Sequence, residues 1–506
     1  MNIKQSQGIK FIFINCIIAV LCYIPLISNG YTNSRDGLWK STIHQAGNLE
    51  LESGRWAWLF LDKIRYGYAG DPLNSILALL CIAGAAFVLV NIFTTISARH
   101  YVLSLGLVIN TTVCCYLSYR FQSPSFGVAT LLPVIAGWLM VKSIYTEKVK
   151  RTNYVLSVIC LVLTLGLYQS NLGCFIVIII ILFMKLLLCD ESQKAYLLLK
   201  SSIVITIISC VLYKISWDVC LWARGVSASD YNGAGSTNIL SLIMNMPIDI
   251  VKAYFLWISY FSFENGNYVF KIIRLLIIAI LFVFVLAVGI KRLRKAPAKM
   301  VMYIIAFICI PMGANIALLL APGADWVLWE QMTGPHPFTL ALLFLLVDSL
   351  DLKYDKVFIV LAALILYGNI YAVGVDIDAL SQGNISKDVI MNDMVSNLMH
   401  EEKCAEDTQY AFVGNICYSN LFRKNENWDR ASNYAKAGDF GNLSHCVLDC
   451  YNGTLEDIGI TLNLVDLDTY NEILASEELK NMPTYPYAGS IIQKDNIVIV
   501  KISEEY

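Results

Sequence analysis

Charge is scarce in this chain. Only 15% of its 506 residues are Asp, Glu, Lys or Arg, while 57% are apolar and the mean hydropathy is +0.59. One soluble core uses far fewer apolar residues, so an ordinary soluble protein is excluded. A formal net charge of −2 gives no electrostatic footprint for nucleic acid, and no such partner is expected. Neither a Walker motif nor a convincing GxGxxG is present, so nucleotide binding has no support. The first apolar run, Phe11 to Ser28, lacks a small-residue cleavage site and reads as an anchor rather than a removable signal. Most cysteines lie in apolar spans, where Cys is an ordinary buried residue and implies no disulfide.

What the chain does have is a succession of about eleven apolar runs, many near the roughly 20 residues that cross about 30 Å of hydrocarbon. They are expected at 11–29, 73–97, 101–118, 125–143, 153–168, 170–189, 201–221, 268–290, 299–321, 337–350 and 355–375. Lys4 and Lys10 precede the first run. Lys142, Lys148, Lys150 and Arg151 follow the fourth, and Lys291, Arg292, Arg294, Lys295 and Lys299 follow the eighth. The positive-inside rule places all of these in the cytoplasm. A crossing at 250–263 (IVKAYFLWISYFSF) would invert the last cluster, so that segment is read as re-entrant or interfacial. The expected fold is a polytopic all-α membrane domain over 1–375 and a small extracytoplasmic α/β domain over 376–506, in a multi-pass cell-membrane protein with a cytoplasmic amino terminus.

The tail changes abruptly to mixed polar sequence of a size that supports its own core. Ser386 precedes an amphipathic run, 388–402, that reads as a capped helix. QYAFVGN (409–415) reads as a strand, and 491–502 as a hairpin around Lys494, Asp495 and Asn496. Cys404, Cys417, Cys446 and Cys450 would lie on the oxidising side, where two disulfides, free thiols, or a metal site using His445 all stay open. The spacing matches no zinc pattern well.

The chemistry-bearing residues concentrate in the first long loop. Between Gly30 and Asp71, Asp36, Glu50, Glu52, Asp62 and Asp71 mix with Arg35, Lys40, Arg55, Lys63 and Arg65. Two short amphipathic helices fit there, over 36–46 and 55–64, the second lying in the interface. Such a loop suits attack by a sugar hydroxyl on the anomeric carbon of a sugar carried by a polyprenyl phosphate. A carboxylate, Asp36, takes the proton, and cations, Arg55, Lys40 and Arg35, stabilise the departing phosphate. Arg is preferred for its planar fork. Solvated loop charges or membrane-surface anchors would give the same spacing.

A second outer loop, 322–337 (PGADWVLWEQMTGPHP), sets Asp325, Glu330 and His336 beside Trp326 and Trp329, which suits sugar hydroxyls and sugar faces; an aromatic interfacial belt reads the same way. Arg120, Gln122 and the Tyr168-Gln169-Ser170-Asn171 turn belong to the same surface. The loop 224–245 is Gly-rich, and either a lid or an ordinary surface loop. The rival class is a transporter or flippase of lipid-linked glycans. It would keep ionisable groups near the midplane, and only Lys214 and Asp218 stand out there; no inverted repeat is visible.

RDGLWK (35–40), ESGRW (52–56) and LGLYQSNLG (165–173), in that order, resemble the bacterial Gtr type II glucosyl transferase family, membrane glycosyltransferases of the GT-C superfamily. The resemblance covers roughly residues 11–420, including the strand YAFVGN. It implies a GT-C-like fold and transfer of a glucosyl or related sugar from a polyprenyl-phosphate donor to a surface glycan such as O-antigen or a cell-wall polysaccharide. It also implies a catalytic carboxylate matching Asp36, a GRW motif at Gly54, Arg55 and Trp56, and a YQ motif at Tyr168 and Gln169. Some relatives pair a second acidic residue with the Asp; here Arg35 stands there, which puts a paired-carboxylate mechanism in doubt. Glu50, Trp56, Tyr168, Gln169, Asp325, Trp329, Glu330 and His336 are the expected sugar or acceptor contacts, and Arg120 joins the phosphate set. No cofactor or metal is expected, although nothing in the sequence excludes a divalent ion. The expected partners are the lipid donor, a lipid-linked or surface glycan acceptor, and membrane lipid.

Overall fold

The structure, a computed structural model, describes residues 5–33, 43–146, 150–229, 239–262, 268–321, 326, 329–350, 355–400, 407–423, 426–427, 435–436, 451–457 and 459–505. Among these, nine helices are long and apolar enough to cross a membrane, or ten if one bent pair counts as a span. The chain is a polytopic helical protein with a small sheet-containing unit at its carboxyl end.

The first helix, α1 (Gln5–Asn29), is followed by the first-loop helices α2 (Asn48–Glu52) and α3 (Trp58–Ile64), then by α4 (Leu73–Phe93). The bent pair comes next: α5 (Arg99–Val108) and α6 (Thr111–Ser118) meet at 46°. Asn110 makes this break. Its side chain caps α6 by accepting from Val113 N at 3.0 Å, and its own N–H donates to Tyr23 Oη at 3.1 Å.

Next come α7 (Ser123–Tyr145), α8 (Lys150–Leu167), α9 (Leu172–Leu188) and α10 (Ser192–Arg224). The apolar window of α9 is 83% buried, which makes it the central post of the bundle. Close packing there depends on missing side chains. A Cβ on Gly127 would lie 2.7 Å from the Ala78 backbone, so α4 and α7 touch main chain to main chain.

Two expected segments differ. The expected span 299–321 is three pieces, α13 (Pro297–Ile308), α14 (Ile310–Ala314) and α15 (Ile316–Leu319), preceded by α11 (Ile239–Ser262) and α12 (Tyr268–Leu293). Asn315 sits at the second break and donates to Ala253 O of α11 at 2.9 Å, tying the break to that helix. The segment expected to be re-entrant or interfacial lies inside α11, a continuous helix of 24 residues. Length and apolarity would allow it to cross. Its carboxyl end packs on the start of α16 (Pro335–Asp348), with Tyr260 4.7 Å from His336.

The last two helices are α16 (Pro335–Asp348) and α17 (Asp355–His400). No proline interrupts 338–482, and α17 runs 46 residues, about 70 Å at 1.5 Å per residue. That is over twice the roughly 30 Å of hydrocarbon. The boundary drawn at 375 therefore falls inside one helix, and the capped helix expected over 388–402 is its far end. There Ile390, Met391, Met394, Val395 and Leu398, at helical spacing, pack on Tyr410 and Phe412 of the tail.

The tail sheet is ordered β2-β1-β4-β3, with β1 (Gln409–Val413) parallel to β2 (Asn463–Leu464) and β4 (Ile497–Lys501), and β3 (Ile491–Lys494) antiparallel to β4. The strand and hairpin lie where the alternation of QYAFV and IIQKDNIVIVK places them. Cys417 is buried in the tail core, while Cys404, Cys446, Cys450 and His445 lie outside the described residues.

Candidate functional site

The first loop is built on main-chain capture. Ile43 bridges Tyr68, and His44 N donates to Gly67 O at 2.8 Å. Residues 43–46 are therefore not the helix expected over 36–46. Helix α2 starts only at Asn48, because Glu50 turns back and accepts from Gly47 N at 2.8 Å. Glu50, an expected sugar contact, is 5% exposed, with its other oxygen 3.7 Å from His44 Nε2. Asp62 accepts from Ala46 N at 2.8 Å and pairs with Arg65 at 2.9 Å. Burial raises its pKa, against the pull of Arg65. The second expected helix, 55–64, begins at Trp58.

The ESGRW turn is locked onto the YQ hairpin. Gln169 Nε2 donates to Ser53 O at 2.9 Å and to Tyr213 Oη at 3.1 Å, and Tyr213 donates to Gly54 O at 3.1 Å. One turn further along α10, Trp217 Nε1 donates to Leu51 O at 2.7 Å. Gly54 takes φ +86°, and a Cβ there would lie 2.2 Å from Tyr213 Oη. Arg55 follows, its guanidinium 5.0 Å from the Trp58 ring and 5.4 Å from that of Tyr168. Trp56 lies against Gly166, whose carbonyl accepts from Ala57 N at 3.0 Å. Arg55 Nε and Trp56 Nε1 are buried and make no hydrogen bond to the described residues.

An aromatic shelf joins this turn to a second cluster. Phe126 stacks on Tyr116 at 4.5 Å and meets Tyr168 edge-on at 4.9 Å and Trp58 at 5.8 Å. Tyr116 Oη bonds Asn171 at 3.3 Å, and both crowd Gly334, where a Cβ would lie 2.7 Å from each. Beyond Gly334, Glu330 accepts from Thr111 and Thr112 at the amino terminus of α6, where the helix dipole favours a carboxylate. His336 is fully buried, its Nδ1 3.1 Å from Thr333 O and its ring 4.7 Å from Tyr260, so it is a wall residue and not an exposed loop imidazole. Trp329 is half-buried beside Glu330.

Cations arrive from two other directions. Arg274 of α12 stacks 5.5 Å from Tyr260 and 5.8 Å from Phe261. From the tail, Lys436 Nζ donates to Tyr260 O at 3.1 Å, and its N–H donates to Asp376 Oδ1 at 2.6 Å. Desolvation pulls the Lys436 pKa down to about 8; Arg274 and Lys271 act the same way, while Glu330 and Asp376 oppose it.

Among the expected residues, the structure thus brings Arg55, Trp56, Tyr168 and Gln169 together, and Glu330 and His336 together beyond the shelf. Arg120 is elsewhere, its Nε 3.2 Å from Asp71 and its guanidinium over Gly30. Asp36, Arg35, Lys40 and Asp325 lie outside the described residues, though the flanking Asn33 and Ile43 are held to Ser118 and Tyr68. A family model, glucosyl transferase GtrII, matches residues 40–372, more than half of the chain. The chain belongs to the GtrII glucosyl transferase family. The match takes in ESGRW and the YQ turn and begins at Lys40, just after Asp36. No curated protein and no solved structure matches this GtrII member.

Sequence reasoning missed Tyr213, Tyr260, Arg274, Asp376 and Lys436. Arg274 left a signal, since it and Lys271 are cations three apart inside the apolar run YVFKIIRLLIIAI. Lys214 and Asp218, which did draw notice, pair with each other at 2.8 Å on an exposed face of α10.

Proposed function

We propose that this GtrII member moves a glucosyl residue from a polyprenyl-phosphate donor to a surface polysaccharide, O-antigen or cell-wall glycan, at the outer face of the cell membrane. An acceptor hydroxyl attacks the anomeric carbon. Its proton passes to Asp36, and the bond to the phosphate oxygen breaks with its electron pair leaving on the lipid phosphate. Arg35 and Lys40, near the base in sequence, stabilise that charge with Arg55. Trp56, Tyr168 and Trp329 offer faces to sugar rings, and Gln169, Glu50, Asp325, Glu330 and His336 shape the acceptor side.

What carries this reading is the meeting of the two family motifs: the GRW turn is hydrogen-bonded to the YQ hairpin, with Arg55 and Trp56 keeping buried donors unspent. Buried donors without partners cost stability and suit a polar ligand. The first loop, the 168–171 turn, the 330–336 loop and the tail share one end of the bundle, since Thr32 also bonds Asn384 far along α17. The Lys and Arg clusters after the fourth and eighth apolar runs support that end as outside and the amino terminus as cytoplasmic, with α11 along the surface.

The test compares surface glycans and lipid-linked sugars in cells with and without the gene. Deletion is expected to remove one glucosyl branch and to accumulate the polyprenyl-phosphate sugar. Unchanged glycans and lipid pools would overturn the transferase reading and favour transport.

A further inference from the structure

The end of α6 and the turn after it, residues 118–121, grip the first loop at several separate points. Ser118 takes Asn33: its carbonyl accepts from Asn33 N at 3.2 Å and from Asn33 Nδ2 at 3.0 Å. Arg120 takes the far root of the loop, its Nε donating to Asp71 Oδ2 at 3.2 Å. It also lies across the near root, where a Cβ on Gly30 would stand 3.5 Å from its Cζ. Phe121 is 2% exposed and carries the middle, with the His44 ring edge-on at 5.5 Å and the Arg65 guanidinium 5.5 Å from its ring. About 40 residues separate Gly30 from Asp71, enough chain to reach on the order of 130 Å when extended. Both roots nevertheless return to one side chain. The stretch that carries Asp36 runs between Asn33 and His44, and both of these are fastened here.

The Asp71 side chain is 7% exposed, and its other oxygen accepts from Ser75 Oγ at 2.7 Å at the start of α4. Burial raises its pKa, and Ser75 and Arg120 work against that rise. Asn74 adds a tie to the turn itself, donating from Nδ2 to Arg120 O at 3.3 Å. The opposite end of α6 holds the second acidic loop, since Thr111 and Thr112 donate to Glu330. Every residue of α6 is buried, and its two ends are about 10 Å apart. One short, packed element thus spaces the first loop from the 330–336 loop. We propose that Arg120 is a positioning residue for transfer: through Asp71 and Gly30 it fixes the first loop to the outer end of α6, and so sets the base against Glu330. The inference rests on the assignment of Asp36 as base and adds what keeps that base in place. It also takes Arg120 off the donor phosphate.

The test uses full-length protein carrying Arg120→Met and Asp71→Asn together. Arg120→Met alone would leave a buried carboxylate without its cation, a stability defect in its own right, whereas the pair leaves no charge unmatched. Melting temperature, amide hydrogen exchange at His44, Ala46 and Gly47, affinity for polyprenyl-phosphate glucose and single-turnover transfer from it are measured. The double variant is expected to melt like the unaltered protein and to bind the donor within about threefold. Exchange at the three amides is expected to quicken by about tenfold, and transfer to slow by about a hundredfold, the effect of a misplacement near 1 Å. Arg120→Lys keeps a cation opposite Asp71 and is expected to restore most of the rate. Transfer at the unaltered rate in the double variant would overturn the positioning role and leave the pair as a structural contact. Donor affinity reduced tenfold with exchange unchanged would overturn it in favour of a phosphate contact, with the transferase reading intact. Absence of transfer by the unaltered protein would sink the transferase reading and the positioning role with it, while exchange would still report whether Arg120 holds the loop.

Discussion

Asp36→Asn is expected to lower glucosyl transfer by roughly 10²- to 10⁴-fold, the range that a positioned general base contributes. The amide keeps the size of the side chain and removes its capacity to take a proton at neutral pH. Stability is expected to change little, because the first loop is anchored on either side of this stretch by Asn33 on Ser118 and by Ile43 on Tyr68. The measurement is single-turnover transfer from polyprenyl-phosphate glucose by purified protein, with melting temperatures and donor affinity recorded for both forms. Loss of turnover with intact binding and melting supports Asp36 as base. Activity within about threefold of the unaltered enzyme would remove Asp36 from proton transfer, since a base worth that little falls far below the usual contribution. Glu330 would then be the next carboxylate to test, because it stands on the same side of the bundle beside Thr111 and Thr112.

Much of the architecture is legible in the sequence because apolar run length and the thickness of hydrocarbon are the same physical constraint. The strand 409–413 and the hairpin 491–501 are legible for a similar reason, since alternation has to match the pleat. The end of α17 is not. Hydropathy falls near residue 375 when the chain leaves the apolar layer, yet nothing there stops hydrogen bonding, so the helix continues to His400. Helix α2 is absent from the sequence reading, which expected helices over 36–46 and 55–64, because its start depends on the Glu50 carboxylate turning back to Gly47 N beside the Ile43 bridge to Tyr68. At the site, the ESGRW and YQ motifs meet in the fold, and the contacts each side chain makes there come from elements far away in sequence. Gln169 reads as a sugar contact, and its amide is spent holding Ser53 and Tyr213. Lys436 is invisible because its partner Tyr260 is 176 residues earlier in the chain.

Gly54→Ala is expected to be the most damaging of the small substitutions. An alanine at φ +86° carries left-handed strain of about 1–2 kcal/mol. Its Cβ would also lie 2.2 Å from Tyr213 Oη and 2.7 Å from Gln169 Nε2, overpacking that costs roughly 1–3 kcal/mol. Relief of that clash breaks the bonds from Gln169 to Ser53 and from Tyr213 to Gly54, worth about 1 kcal/mol each. These terms fall on the turn that aims Arg55 and Trp56, so transfer is expected to drop by about a hundredfold, a 1 Å misplacement being enough for that. A control separates strain from position. Gly225 also has positive φ, +66°, but a Cβ there meets nothing within 4 Å, so Gly225→Ala is expected to carry strain alone and keep transfer near the unaltered rate. Adding Tyr213→Phe to Gly54→Ala removes the nearest clashing atom and is expected to recover part of the lost rate. If Gly54→Ala transfers glucose normally, or if Tyr213→Phe deepens its defect, the locked turn does not organise the site. Arg55 and Trp56 would then owe their placement to the aromatic shelf of Trp58, Phe126 and Tyr168 alone.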